Sequence, residues 1–257
     1  MFKLIIEKVS SHYADSLISE KYKKSDGGLT DEGKIYSGKI SSNIFKCLYN
    51  LFIAIFGYFV LNQLKYFPSE LLGNGDMYRM FEDKFPYFYF HYKPKYFDFL
   101  YLINFSYYTA DFIWLIWISE KTNDFVLIII HHICTMVLIF FSFWTNNSNI
   151  GCLIFYLHSI GNVFIYLLRV FLYSRISSII KALMTLILIV VLIYTRLFVF
   201  GKFIMLIWNY LNPWSLATYV LWPQTVILYF LHVFWIFEIL KKLLLLVKTN
   251  TVEDVSK

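Results

Sequence analysis

The chain has 257 residues, of which 59% are hydrophobic, 21% aromatic and only 16% charged. That composition excludes an ordinary soluble domain. The net charge of +6 does not point to nucleic acid, because the Lys and Arg residues fall where membrane topology signals fall.

Residues 1–43 hold polar runs such as SEKYKKSD and no apolar core. They read as a flexible or loosely ordered cytosolic tail with no cleavable signal peptide. Six apolar windows of about 20 residues follow, each long enough to cross the roughly 30 Å hydrocarbon layer as a helix. They cover 44–64, 96–118, 125–144, 149–168, 180–200 and 216–240, the last able to run on to Val247. Residues 203–211 are apolar but too short to span. The expectation is an all-α polytopic membrane helical bundle over 44–247, with a second cytosolic tail at 248–257. Cys47, Cys134 and Cys152 all lie in apolar windows. That pattern suits small core residues better than disulfides or a metal site.

Orientation follows from the basic residues. With six spans, sixteen Lys and Arg residues fall on the side of both termini and six on the other, with Arg196 inside a span. Both termini are therefore expected in the cytosol. Asn146-Asn147-Ser148 forms a glycosylation triplet. It sits in a very short loop against the membrane and is expected to be unmodified.

The chemistry lies in the few ionisable groups at membrane depth, which are costly there and usually kept for function. Asp111 is in the second window, beside Tyr107 and Tyr108. His131 and His132 are set early in the third, FVLIIIHHICTMVLIFFSFW, and His158 is near the middle of the fourth. Only residues 145–148 connect these two windows, so they must be antiparallel neighbours whose imidazoles can share a cavity. At 1.5 Å per residue, His131 is roughly 9–10 Å from the cytosolic face and His158 near mid-membrane. Adjacent helical residues point about 100° apart, so one of His131 and His132 faces the cavity while the other packs. Histidine serves as a general base near neutral pH and as an acyl-accepting nucleophile. The alternative is polar contact between helices. Asp111 has the same two readings, chemistry or a structural hydrogen bond. Arg196, near the end of its window, either snorkels to the interface or steadies polar groups in the cavity. A metal held by His131, His132 and His158 is a further alternative. Six histidines, with His12, His91 and His232 placed elsewhere, are too few for a di-iron oxygenase site, and no metal is expected.

These residues carry a resemblance. The stretch HHICT at 131–135, FFSFW at 140–144, Gly151, and His158 placed 27 positions after His131 resemble the Lag1 motif. That motif belongs to ceramide synthases of the TRAM-LAG1-CLN8 domain family. Asn123-Asp124-Phe125 before the double histidine, Tyr194-Thr195-Arg196-Leu197, and LHVFW at 231–235 also resemble family segments. The resemblance covers residues 39–247. It departs where the family pattern has HD and then a second Asp three residues on. Here those positions read His158-Ser159 and Asn162, and Asn149 stands where a basic residue is frequent.

The resemblance implies N-acylation of a sphingoid base by an acyl-CoA in the endoplasmic reticulum membrane. It implies His131, His132 and His158 as catalytic residues, with Asp111 offered as substitute acid, and Ser159, Asn162, Tyr194 and Arg196 at the substrate. No cofactor beyond the acyl-CoA co-substrate is expected. The expected partners are membrane lipids and a homo- or heterodimer with a ceramide synthase, and no nucleic acid. The loss of both carboxylates keeps open a second reading, a non-catalytic paralogue that binds lipid or regulates an active synthase.

Overall fold

The computed structural model describes residues 13–18, 22–24, 28–81, 93–117, 124–145, 147–210 and 216–249. These form helices α1 (Asp31–Leu61), α2 (Phe97–Trp117), α3 (Phe125–Trp144), α4 (Ser148–Tyr173), α5 (Ser178–Leu192), α6 (Phe200–Tyr210) and α7 (Leu216–Thr249). Among the described residues the only β-type pairings are three isolated bridges. Six helical stretches are long and apolar enough to cross a membrane. The protein is thus an all-α, multi-pass membrane protein. Large apolar side chains such as Phe59, Trp117, Phe198 and Phe230 are exposed on these helices, as a hydrocarbon solvent permits.

The fifth crossing differs from expectation. Helix α5 passes through a π-helical segment, Ile193–Val199, directly into α6, so one helical stretch runs over Ser178–Asn209. The apolar residues 203–207 extend this crossing and are not a separate short piece. Arg196 therefore lies in its interior and does not reach an interface by snorkelling. It is 5% exposed.

The first helix also starts earlier than its apolar window. Thr30 caps it by accepting a hydrogen bond from the Gly33 N–H at 3.0 Å. Asp31 and Glu32 in the first turn complement the helix dipole. A Cβ on Gly33 would sit 2.6 Å from the Tyr22 carbonyl oxygen, so the glycine permits the close approach of residue 22.

The chain divides into two compact units, one of residues 1–52, 159–192 and 238–255, the other of 53–158, 193–237 and 256–257. In the first, Ala14, Ile18 and Tyr22 pack on Ile40 and Val170 in one apolar cluster. The Arg175 Nε donates to the Ile18 carbonyl at 2.6 Å, and Ser37 donates to Asp15 at 2.5 Å. The expected loose tail is thus folded over its described part. The reason is hydrophobic burial spread over three isolated side chains, which no contiguous run reveals. Lys181 donates to the carbonyls of Leu172 and Ser174, both at 3.1 Å, and so caps the end of α4.

In the second unit, α2, α3 and α4 meet at small residues. A Cβ on Gly151 would lie 2.7 Å from Ser142 Oγ and 3.0 Å from the Tyr101 ring. The Tyr101 hydroxyl shares a hydrogen bond with Ser142 Oγ at 2.7 Å and donates to the Ile139 carbonyl. The 62–81 connection is compact. Phe67 and Met77 are fully buried, and the Gly75 N–H donates back to the Phe67 carbonyl at 2.8 Å. Tyr66 donates to Asn149 Oδ1 at 2.9 Å, and Lys202 forms an ion pair with Glu70.

Candidate functional site

Four imidazoles gather in the second unit. His131 and His132 come from α3, His158 from α4 and His232 from α7. The ring of His131 lies 6.1 Å from that of His158 and 6.2 Å from that of His232. The Ser142–Gly151 approach lies further along the same two helices. The pairing of 131 with 158 and 142 with 151 makes α3 and α4 antiparallel, as their short connection requires.

His158 and His232 are in direct contact, Nε2 to Nε2 at 3.1 Å. Nδ1 of His158 lies 2.8 Å from the Ile154 carbonyl one turn earlier. The two residues are 5% and 1% exposed. Phe200 packs edge-on against both rings, and Trp235 packs edge-on against His131 at 5.1 Å. These aromatic walls bury the imidazoles in low-dielectric surroundings, which strengthen any electrostatic contact inside.

Two charged groups border the cluster. Asp111 Oδ2 is 3.9 Å from His132 Nε2, an ion-pair separation beyond hydrogen-bond length. Phe112 stacks on the His132 ring. The geometry brings Asp111 to a histidine of the double-His pair, where one carboxylate can hold a proton together with an imidazole. Arg196 donates from Nη2 to the His158 carbonyl at 3.4 Å. That contact starts from the π segment, whose extra residue per turn re-aims a side chain. Among the described residues, no group of three or more His, Cys, Asp or Glu side chains is arranged to hold a metal ion.

The TLC domain profile matches residues 39–241, which contain every one of these side chains. The chain belongs to the TLC domain family. No individual curated protein matches it significantly.

Within this TLC domain the other expected site residues fall differently. Ser159 is buried, and its hydroxyl has no hydrogen-bond partner, so it supports no imidazole. Asn162 donates to Asn50 Oδ1 at 3.2 Å, tying α4 to α1. Tyr194 donates to the Glu70 carbonyl at 2.7 Å and stacks on Phe198, which gives it a role in holding the 62–81 connection. His12 and His91 lie outside the described residues, as does Asn146 of the glycosylation triplet.

His232 is the residue that the reading of the sequence left outside the site. It stands far from the double histidine along the chain, within one apolar helix. The LHVFW segment singled it out by resemblance, but only tertiary packing carries it to His158.

Proposed function

We propose that this TLC-domain protein is a ceramide synthase-like N-acyltransferase, joining the acyl group of an acyl-CoA to the amine of a sphingoid base. The observation that carries the proposal is the imidazole cluster with Asp111 at its edge, inside a buried, aromatic-walled interior. Acyl transfer from a thioester to an amine forms one C–N bond and breaks one C–S bond. It needs a group to take the amine proton and a donor for the oxygen that becomes negative. A set of histidines supplies both. His131 or His132 can carry the acyl group, a histidine of the cluster can take the proton, and the pair of His132 and Asp111 can hold the positive charge that steadies the oxyanion. No prosthetic group enters this scheme. The apolar helices suit a long acyl chain and a lipid amine, and the endoplasmic reticulum membrane is the proposed location.

A second reading rests on a separate observation. The two positions that carry carboxylates in the family pattern are Ser159 and Asn162, neither of which carries a charge, and the Ser159 hydroxyl has no hydrogen-bond partner. A non-catalytic paralogue that binds lipid or pairs with an active synthase would tolerate that loss. Purified protein in lipid nanodiscs, given a panel of acyl-CoAs and sphinganine, decides between them. Amide product that disappears in His131→Ala and His132→Ala supports the enzyme. Its absence with every acyl-CoA, from protein that still binds the lipids, supports the paralogue.

A further inference from the structure

The contact between His158 and His232 has a direction. The Ile154 carbonyl can only accept, so the Nδ1 of His158 that lies 2.8 Å from it carries the hydrogen. In the neutral ring Nε2 is then a bare acceptor. The 3.1 Å contact must therefore be filled by a hydrogen on His232 Nε2. That leaves His232 Nδ1 as a bare lone pair, and this atom is buried without a hydrogen-bond partner. Of the four nitrogens in the pair, three are committed and one is open.

We propose that His232, rather than His158, receives the proton released in acyl transfer, with Nδ1 as the receiving atom and His158 as the positioning residue. The inference rests on the N-acyltransferase reading and names the base within it. The amine lone pair forms the C–N bond at the thioester carbonyl. The C–S bond breaks and its electron pair leaves on the coenzyme A sulfur. The amine proton passes to His232 Nδ1 and then to that thiolate, which departs as the thiol. His158 holds the imidazole from behind, through a chain that ends at the Ile154 carbonyl. Such an arrangement fixes the tautomer of a base as a buried acceptor does in hydrolase triads.

The groups bordering the pair are His131 on α3, Arg196 on the π segment and Phe200 on α6. The cation, Arg196, is engaged with the His158 backbone, and Asp111 lies against His132. None of these groups hydrogen-bonds to His232 Nδ1.

The two members of the pair respond differently to glutamine. His158→Gln keeps an oxygen to accept from His232 Nε2, so acyl transfer is expected to stay within about tenfold of wild type. His232→Gln keeps a donor for His158 but has no basic nitrogen, so a loss of about 100-fold or more is expected, with the low-pH limb of the rate profile abolished. The opposite ranking would make His158 the base and overturn the proposal. Equal tolerance of both variants would reduce the pair to helix–helix glue and also overturn it.

A readout independent of turnover separates this inference from the reading beneath it. In nanodiscs, ¹⁵N-histidine magnetic resonance of the wild type is expected to show His158 protonated at Nδ1 and His232 at Nε2. A wild type without acyl transfer but with this pattern would overturn the acyltransferase reading while retaining His232 Nδ1 as the open base. The reversed tautomers would overturn the assignment whatever the turnover.

Discussion

Asp111 sits at the edge of the cluster, its carboxylate 3.9 Å from His132. If it holds charge against His132 during acyl transfer, Asp111→Asn should lower the rate by about 100-fold or more with folding intact. Full activity in that variant would remove Asp111 from the chemistry. Gly151 makes a different point. It belongs to a motif-like stretch, yet its local role is steric, because a Cβ there would meet Ser142 Oγ at 2.7 Å. Gly151→Ala should cost about 1–3 kcal/mol by overpacking, read as a lower thermal midpoint in detergent. Combined with Ser142→Ala, part of that loss should return, since the two sites share one contact. Additive losses would place the strain elsewhere, for example at the Tyr101 ring.

Packing between elements carries two further expectations. Ile18 is fully buried against Ile40 and Val170, so Ile18→Ala should destabilise the protein by about 2–5 kcal/mol. A loose tail would show no change in thermal unfolding. In the other unit, Glu70 joins the 62–81 connection to α6 through Lys202. Burial pushes the Glu70 carboxyl up, but the hydrogen bond and charge of Lys202 outweigh it and hold the group below its usual 4.5. A carboxyl lowered on folding stabilises the protein above its unfolded value, and that stability is lost as pH falls through the folded value. The pair is partly exposed, so the effect should be about 0.2–1 kcal/mol. Thermal scans from pH 7 down past pH 4 should show it, and Glu70→Gln should flatten that portion of the curve. An unchanged slope in the variant would show that the ion pair adds nothing.

Among the described residues six helical stretches are long and apolar enough to cross a membrane, and an even number of crossings puts both ends on one side. The sixteen-to-six distribution of Lys and Arg predicts that this side is the cytosol. Protease protection of tags at the two ends in sealed microsomes should show both accessible from outside. Protection of one tag alone would require an odd number of crossings, and protection of both would invert the orientation. The Tyr66–Asn149 and Glu70–Lys202 contacts agree with an even topology. Each joins the connection after α1 to a helix end or half that six crossings place on the same, non-cytosolic side.

Composition and hydrophobic run length alone determined the class, the helical content and the membrane, because a bilayer allows few solutions to a chain this apolar. The short 145–148 connection likewise made α3 and α4 antiparallel and brought His131 to His158. What the sequence could not show depended on distance along the chain or on isolated contacts. His232 enters the site from α7, 74 positions after His158, and no local period announces it. Arg196 turned inward because α5 continues through a π segment into α6, where hydropathy alone ended the span. Ala14 and Ile18 belong to short apolar pairs in a polar stretch, and their burial rests on partners in α1 and α4. Ser159 keeps its motif position but its hydroxyl has no hydrogen-bond partner, and Asn162 donates to Asn50 on α1. Sequence fixed which groups were available at membrane depth. Only packing decided which nitrogen of which histidine was left open, because hydrogen-bond direction is a property of neighbours in space.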